Sequence, residues 1–164
     1  MARRFASISL GLLLTGISAG CGILGGGAKT GGVEVAPAGD EKIELVLQAS
    51  EKLNVCEDDL PNVLVVRIYQ LAGDAAIGLT TQTRLWEDDE AELKESLLER
   101  REEILEPGQT LKLSITSKEG ATHLAIAGNF CRAKGDCWRW VGEWKDLDDV
   151  QLAAEETCLT ARAR

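Results

Sequence analysis

The sequence predicts a mainly β domain, an antiparallel β-sandwich with one short helical insertion. Most periodic segments alternate apolar and polar residues with period two, and turn residues such as Pro107-Gly108 separate them. A single Glu-, Ala- and Leu-rich segment has helical spacing instead. Hydrophobic residues make up 45% of the 164 residues, which is enough for one packed core.

Composition and motifs exclude several classes of function. The formal net charge of -9 would repel a nucleic-acid backbone, so no nucleic-acid partner is expected. His123 is the one histidine in the chain, and its position at a strand edge favours a structural role. The chain contains no G-x-S-x-G, H-E-x-x-H or Walker motif. We therefore expect a protein that is not an enzyme and has no small-molecule substrate.

The first twenty residues are typical of a cleaved signal peptide. Arg3 and Arg4 precede residues 5–17, a 13-residue stretch without charge that is too short to span a bilayer. Small residues then lead into Cys21, which resembles a bacterial lipobox and predicts a diacylglycerol thioether on Cys21. Ser18 stands where a lipobox usually has Leu, so an ordinary small-residue cleavage site is the alternative.

The lipid on Cys21 is the expected membrane anchor. Cleavage removes Arg3 and Arg4 and leaves a net charge of -11, which would not adhere to anionic lipid. Residues 21–41 form a Gly-rich tether with a reach of about 25 Å, and residues 42–164 form the folded domain. Gly22 is not the Asp that retains many lipoproteins in the inner membrane, so the outer membrane is favoured.

The predicted strands follow one another along the domain. They comprise residues 43–49, a β-branched run at 63–71, an alternating segment at 111–115, a hairpin of 124–130 with 138–144, and a last strand within 150–160. Six to eight short strands are typical of a sandwich.

The helical insertion is predicted near residues 87–101. Leu93, Leu97 and Leu98 have helical spacing, and the acidic start at residues 87–90 suits the positive end of a helix dipole. This acidic run lacks the spaced Asp, Asn and Gly pattern of a calcium loop.

The cysteines predict two disulfides and no metal. Five is an odd number for an exported chain, and lipid on Cys21 leaves Cys56, Cys131, Cys137 and Cys158. Their separations do not suit a zinc site. Four cysteines allow three pairings; the short intervening loop favours Cys131 with Cys137, which leaves Cys56 with Cys158.

Three tryptophans admit two interpretations. Trp138, Trp140 and Trp144 fall on one face of an alternating strand, where they could stack on a carbohydrate. A chain with only seven aromatic residues is expected to use them in its core. Their exposure decides between the two.

Four segments carry a resemblance to a known family. The lipobox cysteine, residues 61–71 (PNVLVVRIYQL), residues 85–89 (LWEDD) and the Pro-Gly turn that ends residues 98–108 resemble the TssJ (SciN) lipoproteins of the bacterial type VI secretion system. The later hairpin at residues 125–139 is similar more loosely. The chain departs from the family in Ser18, in its four extra cysteines and in a loop closed by cysteines.

The resemblance implies a transthyretin-like β-sandwich that is anchored to the outer membrane, faces the periplasm and has no cofactor beyond its lipid. It implies docking of the periplasmic domain of an inner-membrane TssM-type subunit. By position, residues 51–61 between the first two strands would make the contact, and the candidates are Asn54, Val55, Glu57, Asp58, Asp59 and Leu60. From the residues alone, a solvated acidic loop is an equal interpretation. The alternative function is a periplasmic carbohydrate-binding or inhibitor lipoprotein.

Overall fold

A computed structural model describes residues 41–57 and 59–162 of the chain. The signal peptide, Cys21, the tether up to residue 40 and Asp58 lie outside these residues. Within them the mainly β sandwich is confirmed, with eight strands in two sheets and three short helices. No helix in this part of the chain is long and apolar enough to cross a membrane.

The elements follow the chain in a simple order. The strands are β1 (Lys42–Ala49), β2 (Leu64–Leu71), β3 (Leu97–Leu105), β4 (Thr110–Thr116), β5 (His123–Gly128), β6 (Arg139–Glu143), β7 (Val150–Ala154) and β8 (Leu159–Ala161). The helices α1 (Ala75–Leu79), α2 (Gln82–Glu87) and α3 (Asp89–Leu93) all lie between β2 and β3, and 3-10 turns follow at Lys94–Ser96 and Trp144–Asp146.

The first sheet has the strand order β4-β1-β7-β8. Alternation along β1 sends Ile43, Leu45 and Leu47 into the core, where they are at most 5% exposed. β1 pairs antiparallel with β4 and parallel with β7, whereas the other pairs in the described residues are antiparallel. The predicted final strand is in fact two strands, β7 and β8, joined by a tight turn at residues 155–158.

The second sheet has the order β3-β2-β5-β6, and its central strand β2 is covered on both faces. Val66 and Ile68 face the first sheet, while Tyr69 and Leu71 face the helices, and all four are nearly inaccessible to solvent. Ile77, Leu85 and Leu93 of the helices join the same core. The helices therefore form a third layer over the outer face of this sheet, as their apolar stripes require.

The predicted helix near residues 87–101 is wrong in its second half. α3 ends at Leu93, and Lys94 has φ 48°, a conformation that a helix cannot continue through. Leu97–Leu105 is instead strand β3, paired antiparallel with β2. Charged residues of β3 bond to the neighbouring strand: Glu102 Oε2 accepts a hydrogen bond from Arg67 Nε of β2 at 2.9 Å. Tertiary pairing thus overrides the local helical propensity.

Candidate functional site

Four connections meet at one end of the sandwich. They are residues 50–63, 106–109, 129–138 and 155–158, which we call the loop end. Backbone hydrogen bonds join them: Gly108 N donates to Ser50 O at 3.2 Å, and Leu159 N donates to Cys137 O at 2.8 Å. The 106–109 connection is the predicted Pro-Gly turn, where Gly108 has φ 75° as the second central residue of such a turn requires.

The β1–β2 loop, residues 50–63, is held from beneath by apolar side chains. β1 ends at Ala49, and the chain then turns so that Leu53 N donates to Ser50 O at 3.1 Å. Leu53 is fully buried and Val55 is 4% exposed. Two anchored residues of this kind fix the path of a loop that has no regular secondary structure.

Asn54 is the polar hub of this loop. Its Nδ2 donates to Val63 O at 2.8 Å, and its Oδ1 accepts from Cys131 N at 2.8 Å. Its backbone N donates to Glu155 O at 3.3 Å, so one residue ties together three of the four connections. Asn is suited to this position because it tolerates the positive φ of 48° better than most residues do.

Two disulfides complete the loop end, with a different pairing from the predicted one. Cys56 pairs with Cys131, and Cys137 pairs with Cys158, with Cα–Cα distances of 5.3 and 5.0 Å that suit disulfide geometry. The local pairing fails because Cys131 lies against the β1–β2 loop, whereas Cys137 lies beside the β7–β8 turn. The four cysteines of the described domain thus pair among themselves.

The disulfides restrict the loops strongly. They bridge sequence separations of 75 and 21 residues. In the chain-entropy model, loops of this size correspond to about 4.5 and 3.4 kcal/mol of stabilisation. We call the three connections that they join, residues 50–63, 129–138 and 155–158, the stapled loops.

The predicted contact residues divide into two groups. Asn54 and Val55 are about 96% buried, so their side chains position the loop. Glu57, Asp59 and Leu60 are exposed, while the placement of Asp58 lies outside the described residues. Of the predicted contact residues that the structure describes, only Glu57, Asp59 and Leu60 are therefore accessible to a partner.

Arg132 of the β5–β6 loop belongs to the same surface and was missed by the sequence reasoning. Its Nη1 lies 3.1 Å from Asp59 Oδ1, and the Asp59 side chain is 83% exposed. An exposed pair of this kind contributes little stability, at most about 1 kcal/mol. Only the correct pairing of Cys131 with Cys56 could have placed Arg132 here.

A second polar cluster lies between the helices and β2, and it is structural. Asp89 is 4% exposed and accepts from Tyr69 Oη at 3.0 Å, from Arg67 Nη1 at 3.3 Å and from Arg100 Nη1 at 2.8 Å. The Arg67 guanidinium also stacks on Trp86 at 4.7 Å. Two of the segments that carry the family resemblance, VRIYQL and LWEDD, thus meet here and fasten the helical layer to the sheet.

Burial, and then the negative charge of Asp89, raise the pKa of the Tyr69 hydroxyl well above its ordinary value. Tyr69 is therefore a neutral donor at any physiological pH. With its charges paired and its oxygens accepting hydrogen bonds, the cluster has no group poised for proton transfer.

The tryptophans belong to the core, as predicted. Trp138 is 2% and Trp144 1% exposed, and Trp140 is partly buried and packs against the same core. A carbohydrate-stacking platform needs exposed rings, so the observation on which the alternative function depended is absent from this surface. Across the described residues, no group of three His, Cys, Asp or Glu side chains could hold a metal ion.

Comparisons with known proteins agree with the architecture. Residues 41–156 match the family described as "Type VI secretion lipoprotein, VasD, EvfM, TssJ, VC_A0113". No curated protein sequence matches the chain significantly.

Solved structures share the fold. The lipoprotein TssJ1 from Pseudomonas aeruginosa is 21% identical with a TM-score of 0.67, over 76% of this chain and 98% of that one. Lip from Serratia marcescens is 22% identical with a TM-score of 0.67, over 74% and 97%. A chain from the structure described as "T6SS protein TssM C-terminal domain (869-1107) from EAEC" is 20% identical with a TM-score of 0.68, over 75% and 98%.

The family match covers well over half of the chain and includes seven of the eight strands, the helical layer and the stapled loops up to residue 156. The family is a structural component of the secretion machine, without enzymatic activity and without a cofactor. The chain belongs to the TssJ family of type VI secretion lipoproteins.

Proposed function

We propose that this lipoprotein docks the periplasmic domain of an inner-membrane TssM-type subunit through its stapled loops. Lipid on Cys21 anchors it in the outer membrane, and the tether of residues 21–41 lets the domain, residues 42–164, face the periplasm. Docking then links the two membranes through one secretion complex.

The observation that carries this proposal is the covalent pinning of the loops. A surface loop loses conformational entropy when it binds, and a loop that is already fixed loses less. Here two disulfides, together with the hydrogen bonds of Asn54, fix three connections at once. Such an arrangement favours a preorganised recognition surface over a freely solvated acidic loop.

One structural relative supports the identity of the partner. Its match covers 75% of this chain, about 123 residues, and this is 98% of the matched chain. The TssM range in the description of that structure spans about 240 residues. The matched chain is therefore about half as long as that range and has the length of a lipoprotein domain. This supports the interpretation that the structure named for the TssM domain also contains a lipoprotein chain.

A pull-down tests the docking. The full-length, lipidated protein is solubilised from membranes in mild detergent and captured through a C-terminal tag. We expect the TssM-type inner-membrane subunit of the same secretion system to co-purify. A capture that recovers the lipoprotein in quantity without this subunit refutes the proposed docking.

Fractionation tests the anchor. The Cys21→Ser variant lacks the thiol that carries the lipid, and the mature charge of -11 offers no other route to an anionic bilayer. We expect a folded, soluble periplasmic domain. If the variant still sediments with the outer membrane, lipidation is not the anchor.

A further inference from the structure

Large apolar side chains are exposed at four positions in the described part of the chain. These are Leu60 at 60%, Val63 at 50%, Leu79 at 86% and Ile104 at 61%. A single exposed apolar residue is ordinary on a protein surface, whereas a contiguous group marks an interaction site. The placement of the four residues therefore decides their meaning.

Three of the four lie at one corner of the loop end. Leu60 and Val63 immediately precede β2, and Ile104 is the penultimate residue of β3. Val65 pairs directly with Ile104, and Val63 continues the alternation on the same face. Directly opposed side chains of paired strands are about 5 Å apart at Cβ. Val63, Val65 and Ile104 thus form a contiguous strip on one face of the sheet, and Leu60 precedes it by three residues in the chain. We call these four residues the apolar corner.

The backbone of the apolar corner is fixed by the same contacts that fix the loop end. Asn54 Nδ2 donates to Val63 O at 2.8 Å, and Asn129 N donates to Val65 O at 2.9 Å. The Cys56–Cys131 disulfide lies a few residues away in sequence, four before Leu60 and two after Asn129. These contacts fix the backbone on which the exposed side chains of Val63 and Leu60 stand.

The loop end, in which the apolar corner lies, carries charge of one dominant sign. The four connections of the loop end carry eight acidic and three basic residues. Two copies of such a surface would repel each other, which argues against self-association. A partner with an apolar patch and a basic rim would be attracted.

We propose that the apolar corner is the energetic centre of the docking surface for the TssM-type subunit, and that the acidic residues are its rim. The inference rests on the proposed function and deepens it by naming the chemistry of the contact. Buried apolar anchors govern how slowly a complex dissociates, whereas rim charges govern how fast it forms. The partner surface accordingly has an apolar centre with lysine or arginine around it.

Substitution of the apolar corner tests the inference. The variant Leu60→Ser, Val63→Thr, Ile104→Thr removes apolar surface while keeping β-branched residues beside the strands. Full-length lipidated protein in detergent is titrated with the full-length TssM-type subunit, and association and dissociation rates are measured at several salt concentrations. We expect affinity to fall at least tenfold through faster dissociation, with an unchanged salt dependence.

Leu79→Ser is the matched control. Leu79 is the most exposed of the four residues, and its neighbours Gly78 and Thr80 accept hydrogen bonds from Arg139 of β6. β6 is three strand spacings from β3, about 14 Å across the sheet. This variant should bind within twofold of the unsubstituted protein.

The outcomes separate the two proposals. If the unsubstituted protein does not bind, the proposed function fails and this inference fails with it. If it binds and the triple variant binds within twofold, the apolar corner is refuted while the docking function stands. An equal loss of affinity in Leu79→Ser also refutes the apolar corner, because any exposed apolar residue would then have the same effect on binding. If the triple variant unfolds in circular dichroism, Ile104→Thr alone must weaken binding at least threefold.

Discussion

Buried polar residues fix the loop end and the helical layer, the two features that a simple β-sandwich lacks. Asn54 joins three connections of the loop end, and Asp89 joins the helical layer to β2. A buried polar group that loses its partner costs far more than the bond contributes when it is intact. The effects of substitution at these two sites should therefore be large and specific.

Asn54→Ala should lower the free energy of unfolding by about 2–4 kcal/mol, because Val63 O and Cys131 N lose their side-chain partners and the positive φ remains. Urea denaturation measures the change. Asp59→Ala is the control, since Asp59 also has a positive φ, of 58°, but is exposed. A loss that is equal in the two variants would mean that backbone strain, and not the hydrogen bonds of Asn54, explains the effect.

Tyr69 makes a prediction about alkaline pH. Its pKa is raised in the folded state, so the stability that it contributes is complete below pH 10 and is lost as the pH rises above the pKa of an unfolded tyrosine. Between about pH 10 and 11.5 the free energy of unfolding should fall more steeply than in Tyr69→Phe, with an extra slope approaching 1.4 kcal/mol per pH unit. Tyr69 is the one tyrosine in the chain, so the comparison isolates it. Parallel curves for the two proteins would contradict the prediction.

Strands and loops differ in how far the sequence predicts them. Alternation placed β1 and β4 to within a few residues because one face of each is buried in the core. A β-branched run placed β2, which is covered on both faces, and the apolar segments that flank the cysteine loop placed β5 and β6. β3 was not predicted as a strand because its inner face carries Glu99, Arg101 and Glu103. These charged side chains bond to polar partners at the sheet edge and do not pack in the core. Period alone cannot reveal a strand whose two faces are both polar.

The disulfide pairing depends on information that lies outside each element. Cys131 and Cys137 are neighbours in sequence, but the β5–β6 loop directs one toward the β1–β2 loop and the other toward the β7–β8 turn. Sequence identified the cysteines and the candidate loop, whereas the topology decides the partners. For the same reason Arg132 became visible as a site residue only in the folded protein.

Single cysteine substitutions test the pairing at the scale of these elements. Cys56→Ser should release one thiol at Cys131, and the loss of the bridge should lower the free energy of unfolding by about 2–5 kcal/mol. Thiol labelling of the folded variant, followed by peptide mass spectrometry, locates the free cysteine. A label on Cys158 would instead show that Cys56 pairs with Cys158. Cys137→Ser is the matched control and should release Cys158.

Within residues 41–57 and 59–162 the domain has three layers, and its most constrained connections lie at one end. The helical layer occupies the outer face of one sheet, and polar side chains such as Glu44, Gln48 and Lys112 line the outer face of the other. The loop end is where exposed apolar residues, acidic charge and disulfides coincide. In the proposed function, a body with a net charge of -11 relies on its lipid for the membrane and on this end for its partner.

Charge reversal tests the rim of that surface. The variant Glu57→Lys, Asp58→Lys, Asp59→Lys should associate more slowly with the TssM-type subunit and should show a flatter dependence on ionic strength. Its stability should change little, because Glu57 and Asp59 are exposed. Glu119→Lys, in the β4–β5 connection at the opposite end, is the control. Unchanged association rates in the triple variant would show that the acidic side chains do not contribute to partner binding.

Photocrosslinking in intact cells tests the central claim, docking through the loop end, most directly. A photoreactive amino acid is placed at Glu57, which is exposed on the β1–β2 loop, and in a second strain at Glu119. We predict a crosslink to the TssM-type inner-membrane subunit from position 57 and none from position 119. A crosslink from position 119 with none from position 57 would contradict the account, because the partner would then contact the opposite end of the sandwich.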